Sequence, residues 1–162
     1  MRSLLAFIAG LAFAATAAAQ VPAGEQPVDP YTQSNANAGA TPIGDEAALK
    51  AFHGRAGIER IVDDLVDRAV VDKRIAEIFQ NQDLARLRRT LKEQLCYLLD
   101  GGCAYTGRDM KSAHADMGIR QSDFNALVED LQKAMDKEGV PFRDQNRLLA
   151  RLAPMERPVV TR

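Results

Sequence analysis

The sequence has few histidines, few cysteines and almost no excess of charge. Its 162 residues include two histidines, His53 and His114, and two cysteines, Cys96 and Cys103. Two histidines are too few for a metal cage of several imidazoles, so that class of site is excluded. The 21 basic residues nearly balance the 22 acidic ones, for a formal net charge of -1. A chain so close to neutral has no global field to attract nucleic acid or an anionic membrane, and we expect neither as a partner.

Long hydrophobic runs are also lacking, except at the start of the chain. Residues 1–19 carry one positive charge, Arg2, then the apolar run from Leu4 to Ala15 and three alanines that end at Ala19. The run is shorter than the roughly 20 apolar residues that cross a bilayer, and a small-residue cleavage site follows it. The pattern therefore predicts a signal peptide cleaved after Ala19 rather than a membrane anchor. The mature protein is expected in the periplasm or outside the cell, with no membrane insertion.

Residues 20–44 have few large apolar side chains and are rich in Pro, Gly, Ala, Asn and Gln. Such a segment buries too little surface to offset the loss of chain entropy, so the composition predicts a disordered linker. From Asp45 onward, apolar residues recur at helical spacing, without the sustained alternation that is typical of strands. The sequence thus predicts a single all-α domain over residues 45–160.

The helical pattern divides into segments separated by Gly, Pro and Asp. A short helix over 45–52 precedes a second helix that runs from Ile58 to about Val71. A third long helix is expected to begin at Asp83, which can cap it. Its apolar face comprises Leu84, Leu87, Leu91, Leu95 and Leu98. Two further amphipathic helices are predicted near the end of the chain, one on either side of Gly139.

His114 lies on a short predicted helix, one turn after Met110 and one turn before Gly118. Residues 106–109 fit a capping box that would open this helix. An imidazole at this position can point into whatever the helix covers, but a histidine so placed is more often a hydrogen-bonded structural residue than a metal ligand. Both interpretations stay open on spacing alone. His53 precedes Gly54 in a predicted turn, which favours exposure to solvent.

Residues 105–119 read YTGRDMKSAHADMGI and resemble the segment that bears the iron-ligating histidine in group 1 truncated haemoglobins. Further matches, in the same order and at similar intervals, are GIERIVDDLVDR from Gly57, Phe79, the pair Arg86 and Leu87, DFNALVEDL from Asp123, and LLARLAP from Leu148. The resemblance covers Asp45 to about Val159. It implies a two-over-two helical sandwich around a non-covalent haem b. His114 would ligate the iron, with oxygen, nitric oxide or carbon monoxide on the opposite side.

The resemblance also implies residues that would surround the haem. Candidate wall residues are Phe79, Met110, Ile119, Phe124 and Leu127, although each is equally readable as ordinary core. Arg108 and Lys111 flank the histidine and could pair with the haem propionates, or could simply be a solvated basic pair. The sequence contains no CxxCH, which excludes covalent attachment of a c-type haem.

The chain departs from the family on the side where the gas would bind. Many members carry a Tyr on the second helix and often a Gln on the third. Here Val66 stands at the Tyr site, and Leu87 and Leu91 stand at the others, beside Leu95 on the same apolar stripe. The usual hydrogen-bond donors are therefore missing. Gln94 interrupts the leucines and either turns its amide toward the ligand side or stays at the helix edge in water.

Cys96 and Cys103 are seven residues apart, with Gly101 and Gly102 between them. A reversing Gly-Gly turn can bring two such Cα atoms within the roughly 4.4–6.8 Å that a disulfide requires. An exported chain would favour the bond, because its compartment is oxidising. Two separate thiols are the alternative interpretation, and the sequence does not decide between them.

Three classes of function follow from these residues. The first is a haem protein that binds oxygen or another diatomic gas reversibly. The second is a haem enzyme that oxidises nitric oxide to nitrate or reacts with peroxide, which extrapolates from what globin haems can do. The third is a helical interaction module without haem. The sequence identifies no reductase partner.

Overall fold

The computed structural model describes residues 21–162, and the predicted signal peptide over residues 1–19 lies outside them. This part of the chain is helical and contains no strand. Its α-helices are α1 (Glu46–Ala51), α2 (Gly54–Ala69), α3 (Ala76–Phe79), α4 (Leu84–Leu98), α5 (Met110–Ala113), α6 (Gln121–Glu138), α7 (Phe142–Leu152) and α8 (Glu156–Val159). Two short 3-10 helices, Asn35–Ala38 and Ala153–Met155, lie near its two ends. No helix within residues 21–162 combines the length and the apolar content needed to cross a membrane.

Helix α2 lies at the centre of the fold. It packs against both α4 and α6, and α6 packs in turn against α7. The residues of α2 that face the core recur at helical spacing: Ile58, Ile61, Val62, Leu65, Val66 and Ala69. Apart from Val66, these are the residues whose helical spacing predicts an apolar stripe on the second helix, and burying them supplies much of the apolar contact between the helix pairs. Together the four helices form the expected all-α, two-over-two sandwich.

The turn between α1 and α2 depends on a glycine. A Cβ placed on Gly57 would lie 2.0 Å from the carbonyl oxygen of Phe52, which is far too close for any side chain. Because Gly57 has none, the end of α1 can sit directly on the first turn of α2. Phe52 is fully buried at this junction. His53 follows it with a positive φ of 56°, which turns the chain sharply into α2.

Residues 21–44 differ from the disordered linker that their composition predicted. They lie along the helical body and are held by polar contacts as well as by the packing of a few apolar residues against the core. Gln26 donates its backbone N–H to Asp83 (2.7 Å), and Ile43 donates to the carbonyl oxygen of Leu98 (2.9 Å). Ala38 is completely buried. The composition argument counted only the apolar area of the segment itself and so missed partners that lie far away in the sequence.

The structure contains the disulfide between Cys96 and Cys103, with their Cα atoms 5.7 Å apart. The sequence left a disulfide and two separate thiols open, and the structure has the disulfide. The bond links the end of α4 to the loop that leads into α5. Gly101 is tightly packed inside this small ring, because a Cβ there would lie 2.6 Å from the Cys96 sulfur.

The cap of α5 differs from the predicted capping box. Asp109, rather than Thr106, is the N-cap residue, and its carboxylate accepts the backbone N–H of Ser112 (3.0 Å). The Thr106 hydroxyl is engaged elsewhere, since it donates to Glu93 on α4 (2.7 Å). A carboxylate that caps the first turn of a short helix is a favourable arrangement, so the prediction had the right helix with the wrong cap.

Candidate functional site

A cavity of about 440 Å³ opens beside α2, between α4 on one side and α5 and α6 on the other. Its size falls within the range of about 300–1,000 Å³ that is usual for cofactor and ligand pockets. Most of its lining is apolar and comes from α2 (Leu65, Val66, Ala69), α3 (Ile78, Phe79), α4 (Leu87, Leu91, Leu95), α5 (Met110, Ala113) and α6 (Phe124, Leu127, Leu131). The helix pairs of the sandwich thus leave room for one large apolar group.

His114 is the histidine that lines this cavity. It follows directly after α5, is half-buried, and has its Nδ1 atom 2.7 Å from the carbonyl oxygen of Met110. Because a carbonyl oxygen can only accept, Nδ1 carries the hydrogen and donates it. In the neutral ring the lone pair is then on Nε2. The short helix therefore holds a fixed tautomer whose second nitrogen can bind a metal ion.

His53 lies elsewhere, at the turn between α1 and α2. Its side chain is half exposed, and its Nδ1 atom lies 3.0 Å from a carboxylate oxygen of Glu138. It does not line the cavity. The two histidines of the chain therefore have different surroundings, and only His114 is placed to act on a group bound between the helices.

The predicted wall residues come together around the cavity. Its lining includes Phe79, Met110, Ile119, Phe124 and Leu127. Arg108 also lines it and is partly exposed. Lys111, which was predicted with Arg108, is exposed on α5 and is not part of the lining. Of the two predicted cations, the structure brings only Arg108 to the cavity.

The predicted distal residues also share this space. Val66, Leu87, Leu91, Gln94 and Leu95 all line the cavity, and four of the five side chains are hydrocarbon. Gln94 is 5% exposed, so the alternative of a helix-edge side chain in water is wrong. Its amide nitrogen donates to the carbonyl oxygen of Ala38 (2.8 Å).

The same amide nitrogen also lies near two sulfur atoms of the cavity wall. The Met155 sulfur is 3.5 Å away and the Met110 sulfur is 3.6 Å away. Sulfur is a weak acceptor, so these contacts can occupy the second amide hydrogen. The amide group of Gln94 thus has its hydrogens directed at the protein.

The cavity lining also includes residues that the sequence did not assign to the site, among them Val28, Tyr31, Arg86 and Tyr105. Val28 and Tyr31 belong to the segment that was read as a linker. Burial raises the pKa of Tyr105 to about 12, and its hydroxyl donates to the carbonyl oxygen of Arg108 (3.0 Å). The signal that could have found Tyr31 is its aromatic ring, which is unusual in a segment of otherwise small and polar side chains.

Four residues of the lining that are at least partly exposed, here called the mouth, are Val28, Tyr31, Arg86 and Arg108. The guanidinium of Arg108 lies over the ring of Tyr31, 5.2 Å from its centroid. Two cations at the edge of an apolar cavity suit a flat hydrophobic group that carries carboxylates at one end. Among residues 21–162 no cluster of three or more metal-ligating side chains occurs.

Comparison with known proteins identifies the family. The family model for bacterial-like globins matches residues 49–161. A group 1 truncated hemoglobin, GlbN, from Nostoc sp. (strain MUN 8820) is 32% identical over 109 residues, which cover 67% of this chain and 92% of that protein. The corresponding protein of Synechocystis sp. is 33% identical over 92 residues, 54% of this chain and 74% of that protein.

Solved structures share this fold. Truncated hemoglobin from Tetrahymena pyriformis, in its Fe(III) form, superposes with a TM-score of 0.68 at 21% identity and covers 71% of this chain and 98% of its own. The THB1 protein of Chlamydomonas reinhardtii superposes with a TM-score of 0.59 at 26% identity, over 70% of this chain and 95% of its own. The chain therefore belongs to the bacterial-like globin family, as a group 1 truncated haemoglobin.

Proposed function

We propose that His114 ligates the iron of the non-covalent haem b that this gas-binding globin holds in its cavity. The observation that carries the proposal is the hydrogen bond from His114 Nδ1 to the carbonyl oxygen of Met110 (2.7 Å). A metal-ligating histidine almost always donates its other N–H in this way, which fixes the ring and increases the basicity of the ligating nitrogen. His114 is also the histidine of the cavity lining.

The rest of the cavity fits the haem. Its apolar walls suit the porphyrin, with Phe79, Phe124 and Leu127 among the residues that would contact it. Arg86 and Arg108 at the mouth provide charge for the two propionates. Haem supplies the iron at which a diatomic gas binds. The protein supplies the imidazole, the dry walls and the exclusion of water from the opposite side.

The side of the cavity formed by Val66, Leu87 and Leu91 is where we expect the gas. These side chains offer no hydrogen bond, and the amide hydrogens of Gln94 point at the protein. A gas held there would depend on the iron alone, which favours rapid and reversible binding over tight retention. Oxygen, nitric oxide and carbon monoxide are the candidate ligands.

Reconstitution with haem tests this proposal. The purified protein is expected to bind one equivalent of haem and to show a strong Soret band, whereas a helical interaction module without haem would stay colourless. The His114→Ala variant should lose stable haem binding or show a strongly altered ferrous spectrum. The His53→Ala variant is the matched control, because His53 lies outside the cavity, and it should behave like the wild type. Equal effects of the two substitutions would contradict the assignment of His114.

We also propose that the protein is exported by a signal peptide cleaved after Ala19 and acts in the periplasm or outside the cell. The Cys96–Cys103 disulfide supports this location, because such bonds persist in oxidising compartments. Mass spectrometry of protein from the periplasmic fraction tests it. A mature chain beginning at Gln20 is expected, and a full-length chain recovered only from the cytoplasm would refute it.

A further inference from the structure

The family match begins at residue 49, yet the cavity has lining residues that lie before it. Resting on the proposed function, we infer that residues 21–40, here called the N-terminal strap, close the mouth of the haem site and slow the loss of haem. The strap supplies Val28 and Tyr31 to the mouth. It also holds the two mouth arginines, Arg86 on α4 and Arg108 in the loop before α5. Three separate anchors support this inference.

The first anchor joins the strap to α4 through a buried carboxylate. The side chain of Glu25 is only 2% exposed. It accepts hydrogen bonds from Arg86 (3.1 Å) and Arg89 (3.0 Å), and these two arginines lie one turn apart along α4. Hydrogen bonds from Arg89 and Arg86 lower the pKa of Glu25 despite its burial. Separating a buried carboxylate from its cationic partners costs free energy, so these contacts stabilise the packing of this end of the strap on α4.

The second anchor joins the strap to the loop before α5, on the other side of the mouth. The hydroxyl of Tyr31 donates to the carbonyl oxygen of Thr106 (2.9 Å). Arg108 returns a hydrogen bond to the carbonyl oxygen of Asp29 (3.1 Å) and stacks over the Tyr31 ring. The amide of Asn37 donates to the carbonyl oxygen of Gly107 (3.2 Å). This loop leads directly to His114.

The third anchor lies at the inner end of the strap. Asn35 accepts the backbone N–H of Tyr105 through its side-chain oxygen (2.8 Å). Three residues later, the buried Ala38 accepts the amide of Gln94 from α4. The end of the strap therefore contacts both α4 and the loop before α5.

The strap thus crosses from one wall of the cavity to the other. Arg86 and Arg108 each line the cavity and are each bonded to the strap, so a haem that leaves past either arginine meets a residue that the strap holds. Opening this path therefore breaks at least one anchor. The same contacts orient the two guanidinium groups that would meet the propionates. We therefore expect the removal of a strap contact to increase the rate of haem loss.

Transfer of haem from the loaded protein to excess apomyoglobin measures that rate. Losing one charge-assisted hydrogen-bond network at the mouth should speed haem loss by roughly tenfold in Glu25→Gln. Losing the neutral hydroxyl contact in Tyr31→Phe should speed it by about threefold. Matched controls are Glu46→Gln, an exposed carboxylate on α1, and Tyr97→Phe on α4, outside the cavity lining. Both controls should lose haem at the wild-type rate.

Hydrogen exchange gives a second readout that does not depend on substitution. In the loaded wild type, the backbone N–H groups of Gln26 and Tyr105, which are bonded to Asp83 and Asn35, should exchange slowly. Fast exchange at both, or wild-type haem loss in both strap variants, would overturn the inference about the strap. Failure of the wild type to bind haem would instead overturn the proposed function. The two failures are thus distinguishable.

Discussion

The side-chain amide of Gln94 donates a hydrogen bond to the main-chain oxygen of Ala38, at 2.8 Å. This bond explains how a polar side chain can be buried among leucines, since a buried amide without a partner would be strongly destabilising. The amide of Gln94 therefore donates its hydrogen bond within the protein. The ligand side of the cavity therefore behaves as a hydrocarbon surface despite the presence of an amide.

The first prediction concerns Val66. Oxygen bound to haem is polar and accepts hydrogen bonds, whereas bound carbon monoxide does so much less. A hydrogen bond in a dry pocket is worth roughly 1.5–3 kcal/mol when one partner is charged or strongly polarised, so Val66→Tyr should slow oxygen release by roughly tenfold or more. Carbon monoxide release should change little. Stopped-flow dissociation of both gases checks this, and an unchanged oxygen rate would show that position 66 does not face the ligand.

The second prediction concerns Gln94. Because its amide hydrogens are directed at Ala38 and the methionine sulfurs, Gln94→Leu should change oxygen release by less than about twofold. It should instead lower the free energy of unfolding by roughly 1–3 kcal/mol, since the buried Ala38 oxygen loses its partner. Urea unfolding and stopped-flow kinetics together check this. Gln80→Leu, at an exposed position, is the control, and a large effect on oxygen release would show that the amide reaches the ligand.

The third prediction concerns the disulfide. Replacing both Cys96 and Cys103 by serine should lower the free energy of unfolding by about 2 kcal/mol, because the unfolded chain regains the freedom of a short loop. Urea unfolding of wild type in the presence of a dithiol should show the same loss, whereas the double variant should not respond to the dithiol. Coincident unfolding curves for oxidised wild type and the double variant would contradict it.

The fourth prediction concerns pH. Hydrogen bonds from Arg60 and His53 lower the pKa of Glu138 from 4.5 to about 2. Since the folded-state pKa is the lower one, the stabilisation is complete above pH 4.5 and is lost as the pH falls toward 2. Arg60 and His53 are exposed, so we expect a contribution below about 1 kcal/mol.

The variant Glu138→Gln should show a flatter fall in unfolding free energy between those two pH values. Thermal unfolding across the acid range measures the slope. Glu77→Gln, at an exposed position on α3, should retain the wild-type slope. If Glu138→Gln also retains it, the three side chains do not interact in solution.

Residues that repeat at helical spacing were predictable, and those that depend on distant partners were not. The stripe on α2 that includes Ile61 and Leu65 follows from the sequence alone, because burying one face of a helix needs only local periodicity. His114 could be singled out only through the resemblance of its surrounding segment. The burial of Gln94 depends on an oxygen 56 residues away in the chain, so no local pattern indicates it.

The structure of the N-terminal strap was likewise not predictable from its local sequence. Its composition indicated disorder because composition measures how much apolar area a segment can bury. Its stability comes instead from single contacts, such as Glu25 with Arg86 and Arg89, that join residues 61 to 64 positions apart. A buried ion pair leaves no periodic signal in the sequence, so this part of the site became visible only in three dimensions.

The strap also has a consequence for the order of events during folding. Its partners lie 56 to 79 residues downstream, so the first part of the folded chain to be made is among the last to find its place. Contacts of such long range close late, after the nearer helices have paired. Until the strap has docked, it does not cover the opening between α4 and the loop before α5. A folding chain would therefore have an interval in which the cofactor can enter the cavity, and docking of the strap would end that interval.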